Sequence, residues 1–184
     1  MRGAAQQSPD PAAIDYLSRI PFYNARLRTT CVATMLTAGH AENALPQRAQ
    51  AIVNCRVLPG ESVAAVLNTL HSVIGDAEVT VTPDGEPTPS SPSPLKPELL
   101  TAIEAVTEEL WPGVPVVPTM STGATDGLYL RNAGTPAYGV SGLFSDINDN
   151  RAHGRDERIL IDAYFEGQEF LYRLMKRIST SDVE

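Results

Sequence analysis

Basic residues are scarce in this sequence. Its 184 residues include 14 Lys and Arg against 22 Asp and Glu, which gives a formal net charge of -8. No basic block and no stripe of alternating basic and aromatic residues is present to bind a phosphate backbone. Nucleic acid is therefore not an expected partner.

Long apolar runs are also missing. None approaches the roughly 20 residues that a helix needs to cross a bilayer. The opening MRGAAQQSPDP lacks the apolar core of a signal peptide. The sequence therefore predicts no membrane partner and a cytoplasmic location.

Cysteine is limited to Cys31 and Cys55, which form no CxxC pattern. In a chain without secretory features, two such cysteines are more often plain apolar residues than a disulfide. We therefore expect both thiols to be unpaired.

The first ninety residues predict a small α/β arrangement, and 42% hydrophobic residues suffice for a core. The end of a helix precedes Pro21. Two runs rich in β-branched residues, at 27–36 and 50–58, predict strands. A helix begins after Ser62, and residues 77–82 alternate as a third strand. This order lacks one leading strand of a split βαβ, ferredoxin-like sandwich.

A proline-rich stretch divides the chain. Six prolines between Pro83 and Pro97 exclude a helix interior or a central strand and predict an extended linker. We place one domain at residues 1–86, the linker at 87–97 and a second domain at 98–184. Beyond the linker, helices and strands alternate as in an α/β layer: helices at residues 98–110, 126–132 and 162–178, and strands at 114–120 and 135–142.

A candidate site surrounds His153 in AHGRDERI, residues 152–159. A neutral imidazole can ligate zinc through one nitrogen while an acceptor fixes the other, although a lone loop histidine is more often a surface residue. Gly123 and Gly127 flank a Thr-Asp pair in a turn before a helix, where a ligand can approach the backbone closely. Together these segments predict the edge of a site.

Three motifs follow one another in the order of a known family. NALPQRAQAIVNCRVLPGE starts at Asn43, TGATDGLYLRNAGTPAYGVSG starts at Thr122, and AHGRDERI contains His153. They resemble, in turn, the lid domain, the glycine-rich Thr-Asp loop and the closing His-x-x-Asp-Glu motif of the zinc exopeptidases and amidases. That family includes aminoacylase, acetylornithine deacetylase, succinyl-diaminopimelate desuccinylase and carboxypeptidase G. The resemblance covers residues 27–178.

The resemblance implies an incomplete split-βαβ dimerisation domain followed by the C-terminal portion of an α/β zinc-peptidase catalytic domain. His153 matches the terminal ligand of one of two zinc ions, although such a site also accepts manganese or cobalt. Asn43 and Arg56 match lid residues that hold the substrate's carboxylate, for which a guanidinium fork is well suited. Gly123 matches a position where the substrate backbone approaches closely.

Other polar residues receive supporting roles or none. Asp126 is expected to cap the helix that follows it. Asp156 and Glu157 either orient the histidine loop or form a solvated charge run. His40 and His71 are interpreted as residues without a catalytic task.

The ligands of the family's first half have no counterpart in this sequence. That half supplies a His-x-Asp ligand pair, a bridging aspartate, a Glu-Glu pair that includes the general base, and a further acidic ligand. We therefore assign no catalytic residue to this chain. Leu128 also stands where several relatives have an arginine that contacts an anionic substrate, whereas Arg131 matches the family.

Two functions stay open. The resemblance implies a homodimeric hydrolase that cleaves the amide bond of an N-acyl amino acid or a short peptide with a free carboxylate. In the first hypothesis this chain is the C-terminal part of that enzyme, is inactive alone, and has a separate N-terminal half as a partner. In the second hypothesis it is a non-catalytic module for dimerisation and substrate binding.

Overall fold

The computed structural model describes residues 2–5 and 8–180. The described residues contain both helices and strands and divide into two units. Those up to Pro92, together with Thr119–Thr135, form the N-terminal unit. Ser93–Pro118 and those from Pro136 onward form the C-terminal unit. The domain limits placed at residues 86 and 97 rest on composition and stay a prediction.

A two-stranded antiparallel sheet organises the N-terminal unit. β1 (Thr30–Ala38) pairs with β2 (Ala49–Arg56), so that the first residue of β1 lies opposite the last residue of β2. A register shift follows Ala33. Both predicted strands are confirmed, because their β-branched residues favour an extended backbone. Within the described part of the chain the sheet has no third strand.

The two cysteines form a disulfide across this sheet, so the expectation of unpaired thiols is wrong. Cys31 on β1 lies directly opposite Cys55 on β2, and their Cα atoms are 4.1 Å apart. Directly opposed residues on antiparallel strands bring their side chains into contact. The pairing depends on the strand register, which no local motif reveals.

Helices precede and follow the strand pair. Ser62 caps the start of the helix that follows the strands, because its Oγ accepts the N–H of Ala65 at 3.1 Å. Gly75 ends this helix in a left-handed conformation with φ 63°. A further helix, which was not predicted, begins at Pro21. Proline can occupy the first turn of a helix because the N–H that it lacks has no partner there. The elements are a 3₁₀ turn at Arg2–Ala5, α1 (Pro11–Ser18), α2 (Pro21–Leu27) and α3 (Val63–Ile74).

Three predicted strands are wrong: residues 77–82, 114–120 and 135–142 form no backbone ladder. A strand needs a neighbour that offers both N–H and C=O groups. The segment 135–142 instead contacts Ser93, which stands between two prolines that have no N–H to donate. The Ser93 hydroxyl accepts from the N–H of Ala137 at 2.9 Å and donates to its carbonyl at 2.7 Å.

Two helices form the core of the C-terminal unit. α4 (Pro97–Leu110) packs against α6 (Ile161–Thr180). The ring of Trp111 lies 5.6 Å from that of Phe170, centroid to centroid. Both helices were predicted, as was α5 (Gly127–Asn132) in the N-terminal unit. The buried apolar residues of this core are Ala102, Val106, Phe170 and Leu174.

Two glycines let residues 141–143 lie directly on α6. A Cβ on Gly142, whose φ is 64°, would stand 2.7 Å from Cγ of Phe170. A Cβ on Gly167 would stand 2.6 Å from Cδ2 of Leu143. No side chain fits at either position without displacing its neighbour.

No helix in the described ranges combines the length and the apolar content of a bilayer-crossing segment. α6 has 20 residues, but acidic and basic side chains interrupt it. The cytoplasmic location stays a prediction.

Candidate functional site

A cleft in the N-terminal unit brings two predicted site residues together. It has a volume of about 440 Å³ and lies between the end of β2, the start of α3, residues 87–90 and part of the segment 120–131. Arg56 and Gly123 both line it. They belong to two different motifs, so the fold joins segments that are remote in sequence.

Arg131 also lines this cleft and is held by the proline-rich segment. Its Nε donates to Oγ of Ser90 at 2.7 Å. The next residue, Asn132, donates from Nδ2 to the carbonyl of Pro89 at 3.3 Å. Residues 87–90 therefore form part of the cleft wall.

Thr29 fixes the turn that follows β2. Its hydroxyl donates to the carboxylate of Glu61 and accepts from the N–H of Leu58 at 2.8 Å. Both partners line the cleft. These two bonds hold the backbone of the turn that follows Arg56.

Asn43 is not part of the cleft lining. It is exposed in the loop between β1 and β2, whereas Arg56 ends β2 at the far end of the strand pair. The 8 residues of β2 span roughly 25 Å. Within one chain, Asn43 and Arg56 therefore do not meet at one carboxylate.

His153 lies in an exposed loop of the C-terminal unit. Its φ of 65° is left-handed, and no other non-glycine residue in the described ranges has a positive φ. Its N–H donates to Oε1 of Glu157 at 3.1 Å. Backbone conformations of this kind persist where surrounding contacts impose them, and they concentrate at functional positions.

Ion pairs brace the His153 loop. Arg151 donates from Nε to Asp149 at 2.6 Å and also pairs with Asp156. Arg158 donates to the same Asp149 carboxylate at 2.7 Å. Asp156 and Glu157 therefore contact the loop that holds His153, and both side chains are also exposed to solvent. Glu157 reaches the backbone of the histidine, and not its imidazole.

Acid is expected to loosen this loop. The hydrogen bond from Arg151, and then that from Arg158, holds the pKa of the Asp149 carboxyl below its usual range. Because the pKa of Asp149 is lower in the folded chain, its ionised carboxylate stabilises the His153 loop fully above the ordinary aspartate pKa of about 4. This stabilisation is lost as the pH falls through the lower folded value. The observable is amide protection of Gly154, whose N–H donates to the carbonyl of Arg151 at 2.9 Å.

The matched control for this titration is Asp149→Asn, which removes the charge at every pH. We expect the Gly154 protection factor of this variant to be low throughout, whereas that of the natural chain falls only in acid. A natural chain whose Gly154 protection factor does not fall as the pH is lowered through the folded pKa of Asp149, located by NMR titration, contradicts the prediction. So does an Asp149 carboxyl that titrates at or above its ordinary value in an NMR titration.

The described residues do not form a complete metal site. Within residues 2–5 and 8–180, no three His, Cys, Asp or Glu side chains are grouped to hold a metal ion. Around His153, the carboxylates of Asp149 and Asp156 are paired with arginines, and that of Glu157 accepts a backbone N–H. A zinc ion takes about four ligands. This chain offers His153 as one candidate ligand and does not fit a zinc ion by itself.

Asp126 stands at the start of α5, but its side chain does not cap the helix, so that prediction is wrong. Its backbone is helical, with φ -63° and ψ -11°. A capping aspartate needs an extended backbone to fold its carboxylate over the first turn. The carbonyl of Asp126 accepts the N–H of Tyr129 at 3.0 Å instead.

Two residues that shape the cleft were missed in the sequence. Ser90 and Thr29 reach partners 41 and 32 residues away, respectively. No local motif marks such long-range contacts. The only available signal for Ser90 is that a hydroxyl stands among prolines, which offer no N–H donor.

Comparison with known proteins gives the family. The model of peptidase family M20/M25/M40 matches residues 20–177. The human N-fatty-acyl-amino acid synthase/hydrolase PM20D1 is 31% identical over 175 residues, which are 93% of this chain and 35% of that protein. The probable carboxypeptidase S-like 2 of Dictyostelium discoideum is 30% identical over 171 residues, which are 91% of this chain and 33% of that protein.

A solved structure shares the fold. The M20 family metallo-carboxypeptidase Sso-CP2 from Sulfolobus solfataricus matches with a TM-score of 0.56 at 19% identity, over 93% of this chain and 39% of that chain. The present chain spans about a third of the length of the curated relatives it matches. The family match nevertheless includes all three motifs. The resemblance inferred from them is confirmed, and the chain belongs to peptidase family M20/M25/M40.

Proposed function

We propose that this chain is the C-terminal part of a metal-dependent hydrolase that cleaves the amide bond of N-acyl amino acids or short peptides with a free carboxylate. The observation that carries the proposal is the cleft that joins Arg56 and Gly123 from separate motifs. The names of the human and Dictyostelium relatives refer to fatty-acyl amino acids and to carboxypeptidase action. Substrates of both kinds have a carboxylate next to the bond that is broken.

Arg56 binds the carboxylate in this proposal. Its guanidinium forms no hydrogen bond or ion pair with another described residue, and its side chain is exposed at the cleft. A planar guanidinium can donate two parallel hydrogen bonds to one carboxylate. Gly123 lines the same cleft without a side chain and leaves room for the substrate backbone.

A homodimer accounts for Asn43. Because Asn43 and Arg56 lie at opposite ends of the strand pair, one chain does not direct both at one ligand. A second copy can bring its own Asn43 to the cleft of the first. The exposed side chains of Val32, Met35 and Leu36 on β1 offer apolar surface for such an association.

The metal ligands are shared in this proposal. His153 is the one ligand that we assign to this chain, and the other ligands and the general base come from the remainder of the family fold. The family's typical ion is zinc, which supplies Lewis-acid chemistry when bound, and manganese and cobalt are alternatives. The residues of this chain contribute the braced loop that holds His153 in its left-handed conformation.

The finer fold assignment belongs to the same proposal. β1, β2 and α3 form the incomplete split-βαβ dimerisation domain, and the C-terminal unit forms part of the catalytic domain. α6 has a second apolar face that is exposed along the helix, at Ile161, Phe165, Tyr172 and Met175. An exposed apolar stripe of this length fits a helix that the rest of a larger domain covers.

The alternative is a non-catalytic module for dimerisation and substrate binding. It is favoured by the single candidate metal ligand in this chain. The two proposals differ in what happens when the missing ligands are supplied by another polypeptide.

Complementation tests the proposal. The chain is assayed for zinc content and hydrolysis of an N-acyl amino acid, alone and with a separately expressed N-terminal part of a relative. We expect turnover and bound zinc only in the mixture, and loss of both in His153→Ala. His40→Ala, which changes another exposed histidine, is the matched control and should retain turnover.

Either of two outcomes counts against the proposal that this chain is one part of a hydrolase. Stoichiometric zinc and turnover in the chain alone contradict the assignment of a single ligand. A mixture that forms a stable complex without zinc or turnover supports the non-catalytic module instead.

A further inference from the structure

The lining of the cleft in the N-terminal unit has more cationic than anionic side chains, whereas the whole chain is acidic. Two arginines, Arg56 and Arg131, line it, and the one carboxylate in its lining, that of Glu61, accepts a hydrogen bond from the Thr29 hydroxyl. The chain itself has a formal net charge of -8. A cationic cleft in an acidic protein selects anions locally against the overall field.

Arg131 is oriented and still has donors to offer. Its side chain is half-buried, and Nε is engaged by Ser90. A guanidinium has five N–H donors in a fixed fork, and the described residues provide no partner for the others. Ser90 therefore fixes one edge of the guanidinium and leaves the remaining edges available to a ligand.

The rest of the lining is largely apolar. Leu58, Val63, Met120 and Leu128 line the cleft together with the two arginines. Apolar walls beside two guanidinium groups match a ligand with a carboxylate at one end and an apolar group next to it. An amino-acid carboxylate with an aliphatic side chain has that pattern.

We infer that Arg131, positioned by Ser90, is a second carboxylate-binding residue of this cleft, which thereby selects carboxylates of N-acylated aliphatic amino acids. This inference rests on the proposed function, in which Arg56 is the only arginine that binds the carboxylate. Two guanidinium groups can use both oxygens of the carboxylate and more than one lone pair on each.

Equilibrium binding to the 184-residue chain tests the inference. The probes are N-acetyl-L-leucine and its neutral carboxamide, measured by calorimetry or NMR shift titration. We expect the natural chain to prefer the carboxylate, and Arg131→Gln to weaken carboxylate binding about tenfold or more, as for the loss of a hydrogen bond to a charged group. Binding of the carboxamide should not change, which also shows that the variant is folded.

Four further variants separate local from general effects. Arg48→Gln removes the same charge from an exposed position outside the cleft and should bind the carboxylate like the natural chain. Ser90→Ala should weaken carboxylate binding, and Ser90→Thr should restore it because the hydroxyl returns. Arg131→Lys should not restore full affinity, because an ammonium lacks the planar fork.

Several results overturn the inference. Unchanged carboxylate binding in Arg131→Gln removes Arg131 from the site, and if Arg56→Gln abolishes binding, the proposed function stands. Equal weakening by Arg48→Gln shows a general charge effect. A natural chain that does not prefer the carboxylate, or binds neither probe, overturns the two-arginine site, whereas turnover in the complementation assay tests the proposed function separately.

Discussion

Replacing Phe170 by alanine is expected to lower the free energy of unfolding of the C-terminal unit by about 3–5 kcal/mol. The side chain is 2% exposed and packs with Ala102, Val106 and Leu174. Gly142 lies directly against its ring. Truncation removes the buried ring and leaves a cavity that the two helices cannot close without losing other contacts.

The control for Phe170→Ala lies on the same helix. Phe165 is 60% exposed, so Phe165→Ala should change stability by no more than about 0.5 kcal/mol. The measurement is denaturant unfolding of both variants, followed by the fluorescence of Trp111, which contacts the Phe170 ring. Equal losses in the two variants contradict the assigned core.

Removing the disulfide is expected to destabilise the N-terminal unit by roughly 3–4 kcal/mol. Cys31 and Cys55 are separated by 24 residues, and the crosslink restricts that loop in the unfolded chain. The strand pair has no other partner strand in the described ranges to replace the lost restraint. The test is the double variant with Cys31→Ser and Cys55→Ser, because a single change leaves a reactive thiol.

A thiol reductant gives the matched control for this variant. A dithiol added to the natural chain should reproduce the loss, and the double serine variant should not respond to it. Hydrogen exchange of the β1 and β2 amides locates the effect in the sheet. A natural chain whose unfolding is insensitive to the reductant, while mass spectrometry shows free thiols, contradicts the prediction.

The long amphipathic helices were predictable from this sequence, whereas strands without a local partner and the short helix α2 were not. α4 and α6 have apolar residues at helical spacing, and their hydrogen bonds lie within the segment itself. β1 and β2 were predicted from their β-branched residues, and they form because the two segments pair with each other. The alternating segment 77–82 has the same propensity, but its hydrogen bonds depend on a neighbour that the described chain does not provide.

The residues of the candidate site likewise fall into those that a motif revealed and those that depend on long-range contacts. Motif resemblance selected Arg56 and Gly123, and the fold places both at one cleft. It could not select Ser90, because a serine in a proline-rich run carries no local signature for a contact 41 residues away. The prediction of unpaired cysteines was wrong because it rested on how often cysteines pair in proteins of this type. Whether Cys31 and Cys55 pair depends instead on the register of β1 and β2, which no local motif reveals.

The contact between Ser93 and Ala137 also has a consequence for self-association. An exposed extended segment normally offers a row of N–H and C=O groups that a second molecule can extend into intermolecular β-structure. Here one hydroxyl occupies both groups of Ala137, the carbonyl of Pro94 accepts the Tyr138 hydroxyl at 2.7 Å, and the prolines beside Ser93 offer no donor. Ala137 therefore offers neither its N–H nor its C=O group to a second molecule. The outer edges of β1 and β2 have no partner strand in the described ranges, so intermolecular strand pairing is expected there instead.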